Sequence, residues 1–241
     1  MITKWSERLS PLVTSFPPSG IRKFFDMATE IKDVISLGVG EPDFVTPWHI
    51  REASIHSLEM GYTMYTSNQG LSELREEITR DLDGTYGVTY DARREILITV
   101  GVSEGMDLAM RALLSPGDEV LIPDPAYVSY GPVTIMAGGT PVYMPTSIEH
   151  NFRLTPEVVE KSITPKTKIL LLCYPNNPTG AVMSRRDLQA IAEIVAKHDL
   201  LVFSDEIYDR LTYNGEHTCF SSLPGMRERT VLFNGFSKAY A

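Results

Sequence analysis

The sequence predicts an α/β fold: a mainly parallel sheet with helices wound on both of its faces. Two observations carry this. Short runs rich in Val, Ile and Leu recur along the chain, as strands buried on both faces require. Between them lie amphipathic stretches with helical spacing, so strand and helix alternate.

The elements follow in order. Pro47–Met60 and Leu71–Leu82 read as helices, separated by a polar, glycine-containing loop at 61–70. A first strand is expected at Glu95–Val100 and a helix at Ser103–Leu114. Further strands are expected at Glu119–Asp124, Thr140–Pro145, Lys168–Tyr174, Leu200–Asp205 and Thr230–Phe236. Helices at Val128–Ala137, Pro156–Ile163 and Arg185–His198 separate them. The opening stretch differs: Pro11, Pro17, Pro18 and the turn Gly38-Val39-Gly40-Glu41-Pro42 read as an extended arm.

Composition narrows the function. A chain of 241 residues that is 43% hydrophobic can bury one large core or two modest ones. Its net charge of -9 and lack of a basic cluster argue against nucleic acid as a partner. Cys173 and Cys219 sit in unlike surroundings, which speaks against a disulfide framework and for a reducing cytoplasm. Met1–Ser10 lacks the order of a signal peptide, and no apolar run reaches the roughly 20 residues that cross a bilayer, so neither membrane nor secretion is expected. His49, His56, His150, His198 and His217 have no metal-ligand spacing, so no metal is expected.

In an open parallel sheet, ligands bind beyond the carboxyl ends of the strands. The residues that fall there are Gly101-Val102-Ser103, Pro125-Ala126-Tyr127, Pro175-Asn176-Asn177-Pro178-Thr179-Gly180, Asp205 with Tyr208, and Ser237-Lys238. Each alone has a plain explanation. Ser103 could cap a helix, Asn177–Gly180 could be only a turn, Asp205 a surface carboxylate, Tyr208 an edge aromatic and Lys238 a solvated amine. The ordered set, one group per strand end, would converge on one crevice.

Three motifs sharpen this: PNNPTG at 175–180, SDEIY at 204–208 and NGFSKAYA at 234–241. In this order and spacing, the chain from about Ile21 to its last residue resembles the class I/II aminotransferases, the aspartate aminotransferase-like group of fold type I pyridoxal-phosphate enzymes. The resemblance implies a three-layer α/β/α fold. It makes residues 1–46 an arm belonging to a small domain and 47–241 a large cofactor domain, incomplete at its end.

It also implies roles. Lys238 would hold pyridoxal 5'-phosphate as a Schiff base and shuttle a proton; a lysine amine desolvated in a pocket or placed near cations becomes nucleophilic. Asp205 would pair with the pyridine nitrogen. Tyr208 and Asn177 would hold the phenolic oxygen, and Tyr127 would lie over the ring. Gly101, Val102 and Ser103 would cradle the phosphate at a helix N-terminus, with Ser237 beside them and Tyr65 reaching in from the second subunit of a homodimer. Gly40, Tyr127 and Asn177 would face the substrate. Gly235 departs from relatives that carry a hydroxyl there.

The implied reaction moves an amino group between an amino acid and a 2-oxo acid. Two arginines of the family pattern, one for the phosphate and one for the substrate carboxylate, have no counterpart before Ala241, so the 241-residue chain alone is expected to be inactive. The same fold also serves lyases and synthases. A cofactor-sensing regulator is a further alternative, but the arm is too short and the chain too acidic for a DNA-binding module.

Overall fold

The computed structural model describes residues 5–17 and 40–241. Pro18, Gly38 and Val39 of the expected arm lie outside the described residues. The chain divides into two compact units, Met1–Pro42 and Asp43–Ala241.

The first unit begins with a 3-10 turn at Trp5–Arg8, followed by one helical turn, α1, at Pro11–Thr14. This part of the arm is therefore not extended. Ser10 explains why: its hydroxyl accepts from the Leu12 amide at 3.3 Å, and Pro11 at the first helical position needs no amide partner.

The second unit holds five parallel strands: β1 (Glu119–Asp124), β2 (Thr140–Pro145), β3 (Thr167–Cys173), β4 (Leu201–Asp205) and β5 (Thr230–Phe233). Their spatial order is β2-β1-β3-β4-β5. Central β3 shows why such runs are apolar throughout. Ile169, Leu171 and Cys173 face one cluster with Met106, Met110, Tyr130 and Phe203. Leu170 and Leu172 face the other, with Val159, Leu188, Ile191 and Val195. Successive side chains point to opposite faces, and both faces are covered.

The covering helices are α4 (Gly101–Leu113) and α5 (Tyr130–Met136) on one side, and α6 (Pro156–Ser162) and α7 (Arg185–Lys197) on the other. Before them in the chain come α2 (Trp48–Glu59) and α3 (Ser72–Tyr86); the last helical turn is α8 (Phe236–Ala239). A capping box starts α7, in which Ser184 accepts from the Asp187 amide and Asp187 from the Ser184 amide. Helix α3 runs past the expected Leu82 and stops at Gly87, whose φ of 68° fits the left-handed position.

Two expectations are corrected. Glu95–Val100 is not a strand: it joins no ladder, its Ile98 amide donates to the Gln69 carbonyl, and Leu97 and Val100 are exposed. Apolar alternation makes a strand only where a neighbour offers a ladder, and this run meets a loop instead. The last strand ends at Phe233 rather than Phe236, because Asn234-Gly235 leads directly into α8.

Candidate functional site

β1 and β3 are neighbours, with β2 outside one and β4 and β5 outside the other. The chain therefore leaves β1 to one side and β3 to the other, which opens a crevice beyond their carboxyl ends. Tyr127 follows β1, Asn177 follows β3, Asp205 ends β4, and Lys238 lies on α8 just beyond β5. The fold thus brings four of the expected groups to one edge of the sheet.

The turn after β3 is built by Asn176, not Asn177. Buried Asn176 accepts through Oδ1 from the Thr179 amide at 3.1 Å and from its hydroxyl at 2.8 Å, and its backbone pairs with Gly180 and Ala181. The bonds Tyr174–Pro175 and Asn177–Pro178 are cis. Asn177 is left free to turn its side chain toward β4, and Nδ2 donates to the Tyr208 hydroxyl at 3.4 Å. The Tyr208 oxygen accepts there, so its own proton remains available to a ligand. Desolvation raises the pKa of this phenol, which keeps it protonated.

Asp205 is 4% exposed. Its Oδ2 accepts from the Tyr130 hydroxyl at 2.7 Å and its Oδ1 from the Ile207 amide at 3.2 Å. Burial pushes its carboxyl up to about 6; the two hydrogen bonds oppose that rise and Glu206 adds to it. Among the described residues no cation forms an ion pair with Asp205. Its neighbour Glu206 is fully engaged elsewhere, by Ser204, the Phe220 amide and His217 at 2.6 Å.

The segment that leads into Lys238 is anchored. Asn234 Nδ2 donates to Asp209 at 3.0 Å, and the Tyr86 hydroxyl donates to the same oxygen at 2.7 Å. The Glu206 amide donates to the Phe233 carbonyl at 2.8 Å, which ties the ends of β4 and β5 together. Lys238 Nζ lies 5.9 Å from the centroid of the Tyr208 ring, within cation–π range.

Gly101, Val102 and Ser103 form the first turn of α4, where amides lack intrahelical acceptors. Ser103 is therefore not the cap; Val100 occupies that position. Gly101 has φ 73° and its amide donates to Thr99 at 2.8 Å, which leaves Val102 and Ser103 as the freer donors. Ser237 is exposed on α8, and Tyr65 is exposed on the loop between α2 and α3. Gly40 is exposed in the first unit.

Tyr130 is the group that sequence reasoning missed. A signal existed, since Tyr127 and Tyr130 lie three apart in the turn that leads into α5, where the Tyr130 amide donates to the Tyr127 carbonyl. Their rings meet edge to face at 5.5 Å and 78°. Cys173 joins the same buried cluster, and burial pushes its thiol up to about 12, which makes it a packing group rather than a nucleophile.

No helix among the described residues is long and apolar enough to cross a membrane, and no group of His, Cys, Asp and Glu among them could hold a metal ion. A family model described as aminotransferase class I and II matches residues 32–241. A Bacillus subtilis protein, YugH, provisionally named an aminotransferase, is 52% identical over 233 residues, covering 97% of this chain and 60% of that protein. The aspartate aminotransferase of Pyrococcus abyssi is 48% identical over 225 residues, covering 93% and 58%. The crystal structure of the aromatic aminotransferase from Pyrococcus horikoshii superposes with a TM-score of 0.85 at 45% identity, covering 91% and 58%. The chain thus spans about 60% of the length of the relatives it matches.

Proposed function

The chain belongs to the class I and II aminotransferase family, and on that premise we propose that it supplies the cofactor site of a pyridoxal 5'-phosphate-dependent aminotransferase. The observation that carries the reading is Asp205, a buried carboxylate pinned by two donors and without a cation among the described residues. A protonated pyridine nitrogen is a cation of suitable shape for that position.

The remaining donors fit the same molecule. Asn177 and Tyr208 offer two hydrogen-bond donors for a phenolic oxygen, Lys238 offers an amine for the aldehyde, and Tyr127 offers a ring face. The first turn of α4, with Ser237, would hold the phosphate. When bound, the cofactor would supply an electron sink for the pair left on the substrate α-carbon. Asp205 would keep that sink cationic. Lys238 Nζ would carry the proton to and from the α-carbon.

The substrates in this reading are an amino acid and a 2-oxo acid. Which pair is used turns on side-chain contacts of a few kcal/mol outside this cofactor shell. The working unit is a cytoplasmic homodimer in which Tyr65 reaches the phosphate of the second copy. Supporting this are the full exposure of Tyr65 and of its neighbour Met64, and the exposed apolar Trp48, Ile55 and Leu58 on α2, the helix before that loop.

The test is the visible spectrum of the protein at its native length with pyridoxal phosphate, followed by borohydride reduction and peptide mapping. Reduction onto Lys238 is expected. A folded protein that traps cofactor on another lysine, or on none, rejects the reading. Amino acid formed from added 2-oxo acid separates transfer from elimination, which would release ammonia.

A further inference from the structure

Arg75 is a buried cation held, among the described residues, by neutral groups. It is 6% exposed on α3; Nη1 donates to Gln69 Oε1 at 3.2 Å and, more closely, to the Ala92 carbonyl, while Nε has no partner. No carboxylate among the described residues pairs with it. Taking a guanidinium out of water without an anion is strongly unfavourable, as for other uncompensated buried ions. A solvated side chain at this position would cost the fold far less.

What Arg75 holds is a junction. Gln69 is gripped twice, by Arg75 at its side chain and by the Ile98 amide at its carbonyl, 3.0 Å away. Gly70, at φ 93°, lies so close to Ile98 that an added Cβ would fall 2.5 Å from the Ile98 Cβ. Ser67 closes the loop: its hydroxyl donates to the Gly70 carbonyl at 3.0 Å, and its carbonyl accepts from the Gly70 amide at 2.9 Å. On one side of the junction the loop leads back to Tyr65. On the other, Ile98 leads through Thr99, whose hydroxyl donates to the Gly101 carbonyl at 2.8 Å, into Gly101–Ser103.

We propose that Arg75 is a positioning residue for phosphate binding, fixing through Gln69 and Ile98 the turn that carries Gly101–Ser103, which serves this chain's own site, against the loop that carries Tyr65, which serves the site of the second copy. This rests on the reading of those residues as phosphate ligands given above. Arg75 and Gln69 are engaged with each other and with Ala92 and Ile98, and neither is among the residues read above as cofactor ligands. Loss of the brace therefore loosens donors to the phosphate and leaves the lysine, the ring contacts and Asp205 as they are.

Pyridoxal 5'-phosphate and pyridoxal both offer an aldehyde to the lysine, so the ratio of their dissociation constants isolates the phosphate end. The experiment titrates both compounds, by visible absorbance, into the native-length protein and its Arg75→Met variant. Where Arg75→Met fails to fold, Gln69→Ala, which leaves the guanidinium on Ala92, takes its place. The variant is expected to bind the phosphorylated compound about tenfold more weakly, the worth of one charge-assisted hydrogen bond, and pyridoxal as before. An unchanged ratio, or equal losses for both compounds, overturns the proposal. A wild-type protein that binds both compounds equally overturns the phosphate reading itself, and the brace with it.

Discussion

The Tyr130 hydroxyl donates to Oδ2 of Asp205 across 2.7 Å, with the two residues only 3% and 4% exposed. One residue starts a helix on the sheet face and the other ends a strand, so the contact joins two layers at the edge where the site lies. It also sets how readily Asp205 keeps its charge, because a donor to a carboxylate favours the ionised form.

Tyr130→Phe removes that donor and little volume. The Asp205 carboxyl, pushed up to about 6 by burial, rises further. The acid limb of kcat/KM against pH is expected to move upward by about one pH unit, the worth of one hydrogen bond to a charged group. An unmoved limb would mean that Asp205 does not govern the reaction.

Without cofactor, Asp205 is a liability above its own pKa. Its folded value, about 6, exceeds the unfolded one, so the unfolded chain gives up this proton first as pH rises. Stability from this group is complete below about pH 4 and lost through about pH 6, on the order of 3 kcal/mol. Asp205→Asn should abolish this share of the slope, read as urea midpoints at pH 4.5 and 7.5. Identical slopes in the two proteins would show the carboxylate to be solvated.

Lys238→Ala should leave the fold intact, since the residue is only partly buried in a short helical turn and the sheet core lies elsewhere. Activity of the cofactor-loaded protein should fall by at least about 10⁴-fold, the upper range for loss of a general acid–base group. Steady-state rates measure this directly, and retention of a tenth of the activity would move the proton to another residue.

Phe203 has no solvent exposure and packs at 5.2 Å from the Phe233 ring. Phe203→Ala should cost about 3–5 kcal/mol in urea unfolding. Phe233 directly precedes the Asn234–Lys238 segment, so the trapping of cofactor on Lys238 should fall at temperatures where the fold persists. A loss of stability under about 1 kcal/mol would show that the space between the sheet and helices α4 and α5 refills.

The sequence by itself determined the five paired strands and the polar residues that follow them. Apolar runs such as Leu170–Cys173 admit little but a strand buried on both faces, and Asn177, Asp205 and Lys238 each follow such a run. The tertiary structure decided the rest. Glu95–Val100 carries a strand-like pattern and yet pairs with no strand, because pairing depends on which segment returns beside it. Tyr130 and Arg75 are ordinary residues in the sequence; one gains its meaning from Asp205, 75 positions away, and the other from Ala92, 17 positions away. Periodicity is local and reports which face of an element is buried. The hydrogen bonds that orient a site run between elements, and only the packed sheet brings those elements together.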